Sequence, residues 1–206
     1  MTRLSAHLHE ICAFEADLTR AADTNEAWMG RYGPVQRWRN RGADEALARL
    51  LPLASFASRY LHVPWAGWTL VLRNKRVIAA DDVLFSLSKE LACRGMYGSW
   101  ATNGCMWRVV ENGELRRAVH CFLDSDRWEF YEEGARYPFE HPELYEKRRK
   151  KDRMPPAVVL EYLQQVMGVP FPPDWRSLLS QETVCLERST HKLRRPIEEY
   201  AVEVDI

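Results

Sequence analysis

The side chains best suited to covalent or acid–base chemistry are thiols and an imidazole near the middle of the chain. Cys105, His120 and Cys121 lie close together in the sequence. A cysteine nucleophile needs a neighbouring base or a helix terminus that lowers the pKa of its thiol. His120 and Cys121 are consecutive on a predicted strand, where successive side chains point to opposite faces. The spacing therefore favours inert thiols over a Cys–His catalytic pair.

Carboxylates offer a second kind of chemistry. Asp126 and Glu140, together with Cys105 and His120, are the candidate groups of an enzyme with a dispersed site, of the Cys/His or carboxylate hydrolase type. Paired acid–base catalysis needs two carboxylates in different environments, and the sequence does not show such a pair. We therefore expect a protein that is not an enzyme, with the dispersed site as the alternative.

Metal and nucleotide sites lack their usual signatures in this sequence. His7 and His9 are two residues apart on a predicted helix, so they point to different sides of it. No HExxH motif, Cys/His quartet, EF-hand loop or glycine-rich phosphate loop is present. We expect neither a metal nor a cofactor.

The strongest local charge feature is the run EKRRKKDR at positions 146–153. Such a run can contact phosphates or an acidic protein surface, so a regulatory module that binds nucleic acid through residues 147–151 is a further alternative. A solvated helix with pairs such as Glu146 and Lys150 is the simpler interpretation. No aromatic side chains for base stacking interrupt the run, and Lys plus Arg equals Asp plus Glu at 29 each. We therefore do not expect nucleic acid as the partner.

The best-defined element is the stretch 106–134, which predicts a three-stranded antiparallel meander. Asn112-Gly113 suits a type I′ hairpin turn, because both positions of that turn need a positive φ. Residues 124–127 supply the next reversal, and apolar and polar side chains alternate between the turns. Large groups on both faces indicate that helices cover at least one of them. The predicted fold class is α+β, with an antiparallel sheet of about five strands, this meander at its centre, and flanking helices.

The other predicted elements follow from apolar spacing and from proline and glycine positions. We predict an N-terminal helical segment, 1–52, and an α+β domain, 53–206, that together form one compact unit. The predicted helices are Leu4–Ala22, Ala43–Leu51, Asp81 or Asp82 to Cys93, Pro142–Asp152 and Pro155–Met167; the further strands are Ser58–Val63, Trp68–Arg73 and Glu199–Ile206; loops are predicted at Thr24–Gly42 and Tyr97–Gly104.

Cysteine usage and the N-terminus indicate the compartment. Five scattered cysteines without a CxxC pair fit reduced thiols. The first twenty residues hold acidic groups and no continuous apolar core, unlike a secretory signal, and no apolar window approaches the length of a membrane span. We expect a cytoplasmic protein with no membrane partner.

Eight tryptophans are the unusual feature of the composition. Most fit core packing, but tryptophan is also enriched at the energetic centres of protein interfaces. Trp65, Tyr97 and Trp100 fall on predicted loops, where an aromatic ring has no evident role in the core. With Arg148 they are the predicted partner-binding residues.

Four segments carry a joint pattern: RYLHVPWAGWTLVLRN (Arg59–Asn74), LACRGMYG (Leu91–Gly98), RWEFYEEGARYPFEHPELYEKRRKKDRM (Arg127–Met154) and LQQVMGVPF (Leu163–Phe171). Together they resemble a family of small uncharacterised bacterial proteins with the pattern yl.vP..gWt, then L.CRG, then rW.F...G..pFE..e.Y..rr..Dr. The resemblance covers about Ser58 to Phe171. One departure is the stretch Lys75–Ala80, which stands where the family pattern has a Gly-Thr-Asp-like turn.

That family is similar in size and character to the immunity proteins of polymorphic toxins, which are sheet-and-helix proteins without an active site. The resemblance supplies no catalytic residue. It implies a non-catalytic intracellular binding protein, an immunity protein that binds and neutralises a cognate bacterial toxin or effector.

Overall fold

The chain folds as an α+β protein with antiparallel strand pairs, as its sequence predicts. The computed structural model describes residues 10–50, 57–73, 81–171 and 175–189. The elements in chain order are β1 Glu10–Phe14, α1 Leu18–Gly30, β2 Val35–Arg41, α2 Ala43–Leu50, β3 Ala57–Trp65, β4 Trp68–Arg73, α3 Asp81–Glu90, β5 Arg94–Ala101, β6 Gly104–Glu111, β7 Glu114–Asp124, β8 Arg127–Glu133, α4 Pro142–Tyr145, a 3₁₀ turn Lys150–Asp152, α5 Pro156–Met167, α6 Trp175–Leu178 and β9 Glu182–Ser189. The described chain has nine strands rather than about five.

The described residues divide into two compact units. One holds residues 13–50, 57–73 and 175–189, and the other holds residues 10–12 and 81–171. The first unit contains residues from both sides of position 52, where the sequence predicts a boundary.

In the first unit the strands pair in the order β2-β9-β3-β4, all antiparallel. Val184 and Leu186 of β9 pack against Ala22 and Met29 of α1. Cys185 points to the opposite face, because it lies between those two residues on the strand. On that face Trp38, its partner in β2, has the guanidinium of Arg49 in α2 at 5.0 Å from its ring centroid. α1 and α2 therefore cover opposite faces of these strands.

In the second unit the strands pair in the order β5-β6-β7-β8, and each connection is a hairpin. α5 covers one face. It approaches so closely that a Cβ placed on Gly98 would lie 2.7 Å from Cδ1 of Leu163. Gly98 pairs with Trp107 and Trp107 pairs with Val119, so these three residues share the face beneath α5, which we call the α5 face.

The predicted meander is confirmed as β6, β7 and β8. Asn112 has φ 53° and Gly113 has φ 80°, the two positive values that a type I′ turn requires. The second reversal pairs Asp124 with Arg127 and places Ser125 at φ 57°. α2, β3, β4 and α5 also agree with the sequence prediction, and α5 ends at Gly168 with φ 71°.

The predicted N-terminal helix Leu4–Ala22 is wrong over its described residues before position 18. Residues 11–14 lie in β1 and are all buried, so both faces of this strand are covered. The helix begins instead at Leu18, where the Asp17 side chain accepts a hydrogen bond from the backbone N–H of Arg20 at 2.9 Å. The loop predicted at Thr24–Gly42 is also wrong, since α1 continues to Gly30 and β2 follows.

Two further element predictions are wrong, and one falls outside the described residues. The charged helix Pro142–Asp152 is only a single turn, α4, followed by a 3₁₀ turn, because contacts with distant strands, such as the ion pair of Lys150 with Glu129, override the helix propensity of these residues. The loop predicted at Tyr97–Gly104 is mostly strand, because β5 extends to Ala101. The strand predicted at Glu199–Ile206 and the histidines His7 and His9 lie outside the described part of the chain.

Among the described residues, none of the helices has both the length and the apolar character needed to cross a membrane.

Candidate functional site

A buried arginine organises the second unit. Arg117 of β7 points to the α5 face, because it lies two residues before Val119 on the strand and pairs with Val109 of β6. Its guanidinium donates from Nε to Oε1 of Glu140 at 3.0 Å and from Nη2 to Oε2 of Glu140 at 2.6 Å. The side chains of Arg117 and Glu140 are each only 1% exposed. This is a forked, charge-assisted pair of the strong kind.

A second carboxylate completes the charge balance. Glu132 accepts from Nη2 of Arg117 at 2.7 Å and from Nη2 of Arg136 at 2.6 Å. The hydrogen bonds from Arg136 and Arg117 lower the pKa of Glu132 to about 2. Burial opposes the charge of Arg117, but its bonds to Glu140 and Glu132 outweigh that effect and raise the pKa of Arg117.

The same network fastens the chain that follows β8. Nη1 of Arg117 donates to the carbonyls of Glu133 and Gly134 at 3.2 and 3.0 Å. Glu140 also accepts from the Tyr145 hydroxyl at 2.7 Å, and burial raises the pKa of Tyr145 so that it stays a donor. We call Arg117, Glu132, Glu140 and Tyr145 the Arg117 clamp. Glu140, a candidate catalytic carboxylate in the sequence, thus has a structural role.

Aromatic packing holds the same segment from a second side. The Trp107 ring lies 5.8 Å from that of Tyr137, 6.1 Å from Phe139 and 5.0 Å from Tyr162, all in edge-to-face contacts. Such contacts contribute beyond simple burial. The clamp and this cluster together determine where the chain runs from Gly134 to Tyr145.

The basic run begins two residues after Tyr145, the last residue of the Arg117 clamp. We call residues 147–153 the basic segment. Lys150 forms an ion pair with Glu129 at 2.6 Å, and its carbonyl accepts from Sγ of Cys121 at 2.9 Å. Nε of Arg153 donates to the carbonyl of Lys147 at 2.9 Å, and its guanidinium lies 5.2 Å from the Phe130 ring centroid. The basic segment therefore has a defined path against β7 and β8.

An open pocket of about 470 Å³ lies between the basic segment and the β5–β6 turn. Its lining includes Thr102, Cys105, Trp128, Lys147, Lys151 and Pro155. Burial, with a smaller effect of neighbouring Cys121, raises the pKa of Cys105 to about 11. Cys105 is therefore a neutral thiol at physiological pH, unlike an activated nucleophile.

The opposite face of β6–β8 carries a different group of side chains. Nε of Arg108 donates to Nε2 of His120 at 2.8 Å. Burial and the charge of Arg108 lower the pKa of His120 to about 4. The Tyr131 ring lies 5.8 Å from His120, and its hydroxyl donates to Glu133. We call Arg108, His120, Phe122 and Tyr131 the His120 face.

The four candidate groups of a dispersed enzyme site are not brought together. Cys105 lies on the α5 face, because it pairs with Cys121. His120 is next to Cys121 on β7 and therefore points to the opposite face. Asp126 is in the β7–β8 turn, and Glu140 is in the Arg117 clamp.

The predicted partner-binding residues occupy different environments. Tyr97 is 1% exposed in β5, and its hydroxyl donates to Glu10 at 2.9 Å, so its ring does not reach the surface. Trp100 is half-buried in β5 rather than on a loop, and Arg148 is exposed. Trp65, which belongs to the first unit, is half-buried at the end of β3, and its indole N–H has no acceptor among the described residues.

Sequence reasoning missed Arg117 and Tyr131, and it placed Lys147 and Lys151 in a basic run without identifying the pocket that they line. One signal for Arg117 was available: it has the strand orientation of Val119 and Cys121, so it is a charge on an apolar face. A buried charge needs an opposite charge close by. No local signal identifies the pocket, because its residues come from three separate stretches.

The first unit has its own buried polar group. His62 is fully buried; its Nε2 accepts from Nδ2 of Asn25 at 2.9 Å, and its Nδ1 donates to the carbonyl of Val184 at 3.2 Å. Burial lowers the pKa of His62 to about 4. Both ring nitrogens are used, so the neutral imidazole links α1, β3 and β9.

Metal binding finds no support in the described residues, which contain no group of three or more His, Cys, Asp or Glu side chains placed to hold an ion. The resemblance of the segments between Arg59 and Phe171 to a bacterial family stays a prediction. Among known proteins, no family model, curated protein or solved structure matches this chain.

Proposed function

We propose that this protein is a non-catalytic binding protein, an immunity protein that binds and neutralises a cognate toxin or effector protein. The observation that carries the proposal is an exposed apolar cluster. Among the described residues four large apolar side chains are strongly exposed, and two of them, Phe122 of β7 and Tyr131 of β8, lie on the same face of these paired strands. Leu123 is also exposed, but it follows Phe122 on β7 and points to the opposite face. Exposed apolar groups that gather in one place are typical of interaction sites.

The His120 face has the composition of a protein interface. His120 is paired with Tyr131, and Phe122 lies two residues along on the same face of β7. Two aromatic rings beside an arginine match the residue types that dominate binding energy at interfaces. Because the strands are hydrogen-bonded to one another, little side-chain or backbone order has to be gained on binding.

The state of His120 supports a binding role over a catalytic one. Its Nε2 lone pair already accepts from Arg108, and its pKa of about 4 keeps the ring neutral. A general base works best with a pKa near the working pH and a lone pair directed at its substrate. His120 therefore suits a structural role in a binding surface, where its ring orients the side chain of Arg108.

The choice of a toxin as the partner comes from the family resemblance of segments such as Arg127–Met154. The test begins with the proteins encoded next to this gene, because immunity genes accompany the genes of their toxins. Each neighbour is expressed with and without this chain, and growth is measured. The expected result is that one neighbour stops growth and this chain restores it by forming a complex.

Variants of the His120 face connect that result to the structure. Phe122→Asp places a charge on the apolar cluster and is expected to weaken the complex at least about tenfold. Tyr32→Glu is the matched control, because Tyr32 is 63% exposed but lies in the first unit. The proposal is overturned if no neighbouring protein forms a complex, or if the two variants weaken the complex equally.

A further inference from the structure

The pocket beside the basic segment is a second surface feature, separate from the His120 face. It opens on the α5 side, where Cys105 lines it, whereas His120 points the other way. Its volume of about 470 Å³ falls within the range of about 300–1,000 Å³ that holds small organic ligands.

The pocket carries positive charge that the protein does not neutralise. Lys147 and Lys151 line it, and no carboxylate among the described residues lies within ion-pair distance of either. Lys150, between them, is paired with Glu129 and so serves a structural purpose. Asp152 also lines the pocket and reduces its positive charge without cancelling it. The lining therefore favours an anion.

The rest of the lining is apolar or uncharged. The Trp128 ring forms one wall, and no aromatic ring among the described residues stacks on it. Met154 and Pro155 add apolar surface, Thr102 contributes a hydroxyl, and Cys105 contributes a neutral thiol. A half-buried indole that lines the pocket next to cationic groups suits a flat ring that carries a negatively charged substituent.

The lysines are attached to backbone that is held in place. The carbonyl of Lys147 accepts from Arg153 and the carbonyl of Lys150 accepts from Cys121. Behind them, the Arg117 clamp fixes the chain up to Tyr145. A site whose groups are positioned in advance loses less entropy when a ligand binds.

We infer that this pocket is a binding site for a small aromatic anion, with a phosphate or carboxylate between Lys147 and Lys151 and a flat ring on Trp128. The two lysines supply charge, the indole supplies a stacking surface, and the pocket size limits the ligand to a single ring system or a nucleotide.

Isothermal titration calorimetry of the full chain tests the site with four probes: phenyl phosphate, adenosine monophosphate, inorganic phosphate and adenosine. At least one of the first two is expected to bind about tenfold or more tightly than either inorganic phosphate or adenosine. Lys147→Gln and Lys151→Gln are each expected to weaken that probe about fivefold or more. Trp128→Phe, which keeps a ring, is expected to weaken it while leaving binding of inorganic phosphate unchanged.

Arg148→Gln is the matched control, because Arg148 is exposed in the same segment and does not line the pocket. Thermal unfolding of each variant identifies any that fail to fold, and Trp128→Leu with a native melting curve can replace Trp128→Phe. The inference is overturned if neither aromatic phosphate gives heat of binding at about 5 mM. It is equally overturned if Arg148→Gln weakens binding as much as Lys147→Gln, since the basic run would then attract anions without a specific site.

Discussion

At the scale of single residues, the Arg117 clamp places an ion pair where an apolar pair would be expected. Burying two charges costs several kcal/mol each, and their attraction repays that cost only with good geometry. Here the two side chains meet through a forked pair, and further donors come from Tyr137 and Tyr145. Removing only one side chain of the buried pair should therefore lower the free energy of unfolding more than removing both, because the remaining charge would be buried without a partner.

Arg117→Met is expected to destabilise the protein by about 3–5 kcal/mol, because Glu140 would remain buried without its partner. The double variant Arg117→Met/Glu140→Leu should be more stable than Arg117→Met alone. Urea unfolding followed by circular dichroism measures the free energies of unfolding of the two single variants, Arg117→Met and Glu140→Leu, and of the double variant. If the two single changes add fully in the double variant, the pair is not coupled as described.

His62 should make stability depend on pH. Its pKa is about 4 in the folded protein and about 6.5 in the unfolded chain, so the unfolded chain binds more protons between these values. Stability is therefore fully present above about pH 6.5 and falls as the pH drops toward 4, by at most about 1.4 kcal/mol per pH unit from this residue.

The measurement compares the wild type with His62→Gln at pH 7 and pH 5 by urea unfolding. The variant should be less stable at pH 7, because bonds to Asn25 and Val184 change, but the difference should shrink at pH 5. The pKa of His120 is also lowered in the folded protein, but both proteins contain His120, so its contribution to the difference in stability cancels. A difference that stays constant with pH would contradict a neutral buried His62.

At the scale of elements, α5 and β5 pack without a side chain between them at Gly98. A Cβ there would lie 2.7 Å from Cδ1 of Leu163 and 2.9 Å from Cγ1 of Val159. Gly98→Ala is therefore expected to cost about 1–3 kcal/mol, the usual range for overpacking a core. Thermal unfolding monitored by circular dichroism checks it.

Gly30→Ala is the matched control, because a Cβ at Gly30 meets nothing within 4 Å and alanine favours helix. It should leave stability unchanged or raise it slightly. A double change of Gly98→Ala with Leu163→Ala should recover part of the loss, since the clash is with Leu163. Equal effects of the two glycine substitutions would show that α5 does not lie where the structure places it.

Elements were predictable where local signals were unambiguous. α5 has Pro155 and Pro156 at its start and Gly168 at its end, and Asn112-Gly113 allows few turns other than type I′. The run ICAF in β1 has no such signal, because a short apolar run fits a buried strand or a buried helix equally. The basic segment was mistaken for helix because its helix-forming residues are overruled by contacts with β7 and β8 made far away in sequence.

At the scale of the whole molecule, the fold class could be predicted and the candidate site could not. Alternating strands and helices with tight turns indicated α+β, whereas the strand count depends on pairings between distant stretches such as β2 with β9. The pocket likewise joins residues near 102, 128 and 150. Strand orientation did correctly separate His120 from Cys121, because that depends only on neighbouring positions.

Thiol reactivity provides a prediction that covers the whole chain. The five cysteines are thiols, four of them buried, with Cys93 half-buried. Burial raises the pKa of Cys105 to about 11 and that of Cys185 to about 12, so at pH 8 only about one in a thousand of the Cys105 side chains is a reactive thiolate. In the native protein at pH 8, Ellman's reagent should therefore react rapidly with at most one thiol per chain, at Cys93, and with all five after unfolding in guanidinium chloride. Cys93→Ser should remove the rapid phase, and two or more rapid thiols in the wild type would contradict the buried positions of the other four.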